Sequence, residues 1–317
     1  MKLDDLPWLK PLFSRLTEQL NGNTLPHALL ISGPASIGKN LLVDYLISRL
    51  LCASENQACG DCHQCNLLKA GTHPDYLRIA PKDSKQILVD QIRGMFDWVS
   101  QTSQQGGQRI CVISPADCMN VQAANSLLKS LEEPPEAALI ILVSNFPNRL
   151  LPTIRSRCQH IVCRTPDRKQ AIEWLRQYNQ SGIEPELLLN IADGIPMRAS
   201  MIIDDSYFAL RGRIAETLPL ALSHRISPIQ MAASLSKDDP AVVLDIIYQL
   251  TADTLCFSLS GNSFRNYDLS DYLEKLVLQI EVDHRFDFLN RLCRARSLLA
   301  GHSNANTEML LEWLLVG

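Results

Sequence analysis

The sequence predicts a parallel α/β domain followed by a helical half. Three observations carry this. Between residues 28 and 164, short apolar runs alternate with segments whose apolar residues recur at three- and four-residue steps. A glycine-bearing turn, Gly33 to Lys39, follows the first apolar run and opens the first of these helical segments. Beyond Thr165-Pro166 the strand-like runs stop. Alternation of this kind builds a parallel sheet covered by helices on both faces.

The expected strands are Ala28 to Ser32, Tyr76 to Ala80, Arg109 to Ile113, Leu139 to Ser144 and Gln159 to Cys163, each bounded by turn or polar residues. The helices expected between them include Lys39 to Leu51, Asp90 to Ser100 and Val121 to Glu132. Residues 1–164 then form the α/β domain. Residues 165–205 read as a small helical domain containing the turn Asp193-Gly194-Ile195-Pro196, and residues 206–317 as a larger helical domain. In the last, Leu269, Tyr272, Leu273, Leu276, Val277 and Ile280 make one apolar stripe at helical period. There is no internal repeat and no low-complexity tract.

At 317 residues and 46% hydrophobic, the chain is long enough for two or three domains with their own cores. Met1 to Phe13 mixes Lys2, Asp4, Asp5 and Lys10 among its apolar positions, unlike a signal peptide. The longest uninterrupted apolar run, Ala137 to Val143, is far shorter than the roughly 20 residues of a membrane span. The expected compartment is the cytoplasm. A net charge of -4 and a pI near 6.0 argue against a freestanding nucleic-acid binder, because phosphate affinity comes mainly from basic groups.

Ten cysteines in a cytosolic chain are expected to be thiols or metal ligands rather than disulfides. Four follow the pattern Cys52-x6-Cys59-x2-Cys62-x2-Cys65 within a glycine-bearing polar segment. Turns of this kind bring thiolates around one ion, and four sulfurs around tetrahedral Zn²⁺ leave no open position, so the expected zinc is structural. The alternative is free thiols on a mobile loop. His63 and His73 are possible substitute ligands. Cys111, Cys118, Cys158, Cys163, Cys256 and Cys293 are scattered and expected to be small buried apolar groups.

Gly33-Pro34-Ala35-Ser36-Ile37-Gly38-Lys39-Asn40 has the frame of a phosphate loop, with Gly33, Gly38 and Lys39 as its cradle. Its last position is Asn40, where a hydroxyl would ligate Mg²⁺. The strand Arg109 to Ile113 runs into Ser114-Pro115, where a nucleotide hydrolase of this layout places an acidic pair. Asp117 lies three positions beyond Ser114 and is expected to face elsewhere. Three readings stay open for the loop: it binds ATP without cleaving it, it binds nothing well, or it works with unusual ligands.

Further motifs are specific. Asn125 to Pro135 (NSLLKSLEEPP), Ile154-Arg155-Ser156-Arg157-Cys158, Gly71-Thr72-His73-Pro74-Asp75 and Pro26-His27-Ala28 occur in this order together with the cysteine module. In these residues the chain resembles the clamp-loader family of AAA+ proteins over most of its length, and within it the subunits of the bacterial DNA polymerase III clamp loader.

That resemblance implies an AAA+ P-loop-type module, a small helical lid and an all-α collar that holds subunits together. It implies a hetero-pentameric ring with gamma/tau ATPases and a delta subunit, acting on the sliding clamp and primer-template DNA in replication. In the family, the arginine matching Arg157 is a finger reaching the γ-phosphate bound by a neighbouring subunit; a permanently charged planar fork suits that task. The bland reading is a surface arginine paired with a local carboxylate. Lys129 falls on the helix that in the family lies near DNA. The family's lid arginine follows Gly-x-x, whereas here Met197 stands at that position and Arg198 one later.

The expectation is a ring-closing stator that supplies Arg157 in trans and hydrolyses nothing itself, a non-enzymatic part of the DNA polymerase III holoenzyme with weak or no ATP binding. A gamma/tau-type ATPase is the alternative. A zinc-dependent nucleic-acid adaptor is a third, disfavoured by the acidic charge and the lack of aromatic-basic clustering around Cys59 to Cys65.

Overall fold

The computed structural model describes residues 5–316 except 55–57, 83–84, 106, 136, 180, 261–264 and 301–305. The chain divides into two compact units, Met1–Pro166 and Asp167–Gly317.

In the first unit, β1 (Ala28–Ser32), β2 (Tyr76–Ile79), β3 (Arg109–Ile113), β4 (Ala138–Ser144) and β5 (Gln159–Val162) form one sheet in the order β2-β3-β4-β1-β5. All pairings are parallel, with Ala28 opposite Ile140 and Leu29 opposite Gln159 setting the register around β1. Every residue of β1, β3 and β4 is buried, which is why these strands read as apolar runs with polar residues only at their ends, rather than as alternating ones. The edge strand β2 is half-exposed and carries a charge, Arg78, in its middle.

Helices α1 (Lys10–Asn21), α2 (Lys39–Leu51), α3 (His63–Lys69), α4 (Val89–Val99), α5 (Val121–Glu132) and α6 (Pro152–Arg155) complete this unit. The expected bounds of α2 and α5 coincide with the observed ones, and α4 is displaced by one residue. Neither α1 nor α3 is among the helices read from sequence. In α1 only Leu16 is fully buried; α3 is seven residues long inside a segment that reads as turns. Helix α5 opens on Asn120, whose side-chain oxygen accepts from Ala123 N at 2.7 Å, an N-cap worth about 1 kcal/mol. Its buried face, Ala123, Ala124, Leu127 and Leu131, packs into the core between sheet and helices with Ile113, Ile140 and Leu142.

Two motifs prove to be structural ties. His27 Nε2 lies 3.2 Å from Leu131 O, joining the start of β1 to the end of α5. Asp75 is 1% exposed and accepts from Ser103 Oγ, Gln104 N and Gln105 N at 2.8–2.9 Å, with Arg109 Nε 3.7 Å away. Arg109 itself donates to Trp98 O and Thr102 O, so the buried pair is hydrogen-bonded on both sides.

The second unit consists of α7 (Arg168–Tyr178), α8 (Pro185–Ile191), α9 (Pro196–Met201), α10 (Asp205–Leu222), α11 (Pro228–Leu235), α12 (Pro240–Ser260), α13 (Ser270–Gln279), α14 (Val282–Ala300) and α15 (Thr307–Val316). The expected stripe is realised on α13: Leu273, Leu276 and Ile280 are buried against Phe288, Leu292 and Leu311. Helix α12 carries Pro240–Leu259, a segment long and apolar enough to cross a membrane by length and composition. Counting only uninterrupted runs missed it, because Asp245 and Asp253 break the run. More than half of it is buried, with Val243, Leu244, Ile247 and Leu250 in the core of this unit.

Ion pairs lace the helices of this unit together. Arg198 donates to Asp193 at 3.0 Å and to Asp245 at 2.9 Å, Arg296 meets the other Asp245 oxygen at 2.6 Å, and Arg265 meets Asp193 at 2.9 Å. Buried Gln249 donates to Ile191 O at 2.8 Å.

Candidate phosphate loop, metal centre and arginine

The loop between β1 and α2 is built from backbone that side chains resist. Gly38, at the head of α2, has φ 99°, a left-handed conformation that favours glycine. At Gly33 a Cβ would collide with the backbone oxygen of Cys163 at the end of β5. Lys39 is buried and its Nζ donates to Gly33 O at 2.8 Å and Pro34 O at 2.6 Å; burial pushes its ammonium down from the usual range. Trp8 Nε1 donates to Ile37 O at 2.9 Å, pinning the loop's middle from the N-terminal side.

The next residue decides what the loop can hold. Asn40 Oδ1 accepts from Arg78 Nη2 at 2.9 Å and from Ser114 Oγ at 3.2 Å. Arg78 Nη1 meets Asp44 Oδ1 at 3.1 Å. Both positions expected to carry magnesium ligands are therefore present at one point, bonded to each other and to a guanidinium. An octahedral Mg²⁺ needs hard oxygen ligands with free lone pairs, and the residues present do not fit a magnesium-bound nucleotide. Asp117 Oδ1 accepts from Ser144 Oγ at 2.7 Å and Asn145 N at 2.9 Å, so its carboxylate is engaged at the end of β4 and acts on Lys39 only through its charge. Arg78 was missed in the sequence. Its signal was a lone charge within the apolar strand Tyr76–Ile79.

Cys52 lies at the end of α2, Cys62 at the head of α3 and Cys65 in the first turn of α3. With Cys59, their Sγ atoms all lie within 4.8 Å of one another, the one metal-type group of three or more such ligands among the described residues. A tetrahedron of sulfurs about 2.3 Å from Zn²⁺ has edges of about 3.8 Å, and Cys52 Sγ lies 3.5 Å from Cys59 Sγ and 3.9 Å from Cys62 Sγ. Backbone amides of Ser54 and Cys59 point at Cys52 Sγ at 3.3 Å, and that of Cys62 at Cys59 Sγ at 3.4 Å. The backbone amide of Ala53 is the leading cause that holds the Cys62 thiol down at about 6, while burial pushes Cys65 up to about 12. Such N–H···S contacts favour thiolates, and the donor set fits a four-sulfur metal site.

Neither histidine joins the group. His73 is buried, its Nδ1 accepts from Asp75 N at 3.1 Å, and burial lowers its pKa. Of the remaining cysteines, Cys111, Cys158 and Cys163 are buried and Cys118 half-buried, but Cys256 and Cys293 are exposed, against the expectation. Their helices α12 and α14 present these positions outward.

Arg157 follows α6 and precedes β5. Its Nη2 lies 2.6 Å from Glu132 Oε1 and its Nη1 donates to Thr153 O at 2.9 Å; the side chain is 35% exposed. The local carboxylate partner of the bland reading is thus present, and the residue is also at the surface. Lys129 is on the exposed side of α5, its Nζ 5.1 Å from the centroid of the Phe96 ring.

A family model described as "DNA polymerase III, delta subunit" matches residues 8–167, and one described as "DNA polymerase III, delta subunit, C terminal" matches residues 207–317. A relative from Pseudomonas aeruginosa named DNA polymerase III subunit delta' is 35% identical over 99% of this chain and 97% of its own. The chain belongs to the DNA polymerase III delta' family. A delta' subunit from Escherichia coli K12 is 30% identical over 98% of this chain and 94% of its own. Among solved structures, a DNA polymerase III gamma subunit-related protein from Thermotoga maritima aligns with 96% of this chain and 97% of that one at 17% identity, with a TM-score of 0.49. The first unit is the expected parallel α/β module. In this delta' family chain Arg198, the residue after Met197, spends its two terminal nitrogens on Asp193 and Asp245.

Proposed function

We propose that this chain is the non-hydrolysing stator of the clamp loader, closing a hetero-pentameric ring in the cytoplasm and lending Arg157 to the nucleotide site of a neighbouring ATPase subunit. The observation that carries the reading is the pairing of Asn40 with Ser114. The two positions that would bring oxygens to a metal hold an amide and a hydroxyl bonded to each other, with no carboxylate between them. Phosphoryl transfer depends on metal and water positioning, which this constellation lacks. The same observation weighs against a gamma/tau-type ATPase.

Arg157 supports the other half of the reading. It stands on a short surface segment with one exposed carboxylate as counter-charge, an arrangement that a stronger anion can displace. In this reading residues 165–205 serve as the lid and 206–317 as the collar, the four cysteines hold a structural zinc, and Lys129 faces primer-template DNA within the assembly. The sliding clamp is met through the assembly as a whole.

The test is steady-state hydrolysis by the isolated chain, with and without primed DNA, and by the assembled loader carrying Lys39→Ala in this subunit. The expected result is no turnover by the isolated chain and an unchanged assembly rate. A large fall in the assembly rate with Lys39→Ala overturns the reading.

A further inference from the structure

Arg78 is a charged side chain projecting from an edge strand onto the face of α2 where the phosphate loop ends. Its two terminal nitrogens reach Asn40 Oδ1 at 2.9 Å and Asp44 Oδ1 at 3.1 Å, residues one helical turn apart on α2. We propose that the Arg78 guanidinium is a resident cation of this loop, and that it is the element which closes the loop to a magnesium-bound nucleotide. The proposal rests on the non-hydrolysing reading and deepens it: both use the Asn40–Ser114 contact, and the proposal adds Arg78 and Asp44.

The argument is one of lone pairs and charge. An amide oxygen has two lone pairs, and in Asn40 one accepts from Arg78 and the other from Ser114. No acceptor capacity is left on the only side-chain atom of Asn40 that would ligate a metal. The guanidinium places a positive charge at this point. A divalent ion beside it meets like charge as well as the loss of a ligand.

Asp44 holds the fork in place from the other side. Burial raises its pKa, and the Arg78 charge and hydrogen bond oppose that rise. Lys39 spends its ammonium on two loop carbonyls and Trp8 satisfies Ile37 O, so the loop is hydrogen-bonded through the chain's own groups. The arrangement inverts the usual division of labour at such a loop. The cation is supplied by the protein and bonded to the strand next door, and it stays when nucleotide is absent.

Calorimetric titration of the purified full-length chain with ATP, once in Mg²⁺ and once in EDTA, tests this. The wild type should bind ATP no better in Mg²⁺ than in EDTA. Arg78→Met, which keeps the apolar stem and removes the charge, should bind Mg²⁺–ATP at least about tenfold more tightly than wild type. Asp44→Asn, which loosens the fork without deleting it, should show a smaller gain in the same direction. Thermal melts establish that each variant is folded. Tighter wild-type binding in Mg²⁺ than in EDTA overturns the proposal whatever the variants do, and so does a folded Arg78→Met chain with wild-type affinity. Hydrolysis by Arg78→Met is a separate outcome: it counts against the stator reading, which rests on the missing acid at Ser114, while supporting the resident cation.

Discussion

Arg157 Nη2 sits 2.6 Å from Glu132 Oε1, so the arginine after α6 is held by the acid at the end of α5. Two motifs that are separate in the sequence, NSLLKSLEEPP and Ser-Arg-Cys, are thus one contact in space. The pair is half-exposed, and such pairs contribute at most about 1 kcal/mol. Glu132 parks the guanidinium without committing it.

Replacing Arg157 by Ala should therefore leave folding and assembly intact while silencing one neighbouring site. Arginine fingers are worth about 10³ to 10⁵ in rate at the site they serve, so total loader ATPase should fall partially and clamp loading further. Arg157→Lys should rescue poorly, because an ammonium lacks the planar fork. Arg155→Ala is the control, since Arg155 donates to Asn148 in the same segment. Equal activity from wild type, Arg157→Ala and Arg155→Ala would remove the finger from the account.

Mass spectrometry of native protein should find one zinc per chain, and Cys62→Ser should release it with a fall in Tm. Protons compete with the metal for all four thiolates, so zinc retention should weaken as pH falls. Metal-free protein from a chelator-free preparation would contradict the assignment.

Asp75 gives an acid-limb prediction. Burial alone would raise its pKa, but the hydrogen bonds from Gln104, Ser103 and Gln105, aided by the Arg109 charge, bring it below the ordinary 3.8. A depressed folded-state value means stability that is fully present above about 3.8 and lost as pH falls through the folded value. Asp75→Ala should cost about 3 kcal/mol at neutral pH, as expected when one partner of a buried pair is removed. In urea titrations the gap between variant and wild type should narrow in strong acid; a constant gap across pH would mean the carboxylate's charge is irrelevant.

Two glycines should respond with opposite signs. Gly33→Ala must move the Cys163 carbonyl or distort the loop, and should lower Tm by several degrees. Gly94 lies inside α4 with nothing within 4 Å of an added Cβ, so Gly94→Ala should stabilise by about 0.5–1 kcal/mol. Thermal melts of the two variants compare them directly.

What was legible in the sequence followed burial. Strands β1, β3 and β4 are buried along their whole length, and the sequence there is apolar except at the ends, Arg109, Ser32 and Ser144, so their bounds were read to within one residue. The four cysteines were legible because their spacing alone restricts where their sulfurs go. Helix α3 was not, since it is a single short element whose start is occupied by the same cysteines that signal a turn. Arg78 escaped for a different reason: its partners Asn40 and Asp44 lie 38 and 34 residues away, and only the strand order brings them together. Glu132 and Arg157 were each noticed, but a pairing across 25 residues leaves no trace in either motif.

Arg198 is braced at both ends, by Asp193 near the head of α9 and by Asp245 on α12, and Arg296 on α14 closes on the second oxygen of the same aspartate. Mechanically this is a truss. Three helices from different stretches of the chain share charged struts, so α9, α12 and α14 are tied to one another through a single aspartate. High salt softens struts of this kind before it softens an apolar core. The grip of these struts on α9, α12 and α14 is therefore a quantity that ionic strength can tune.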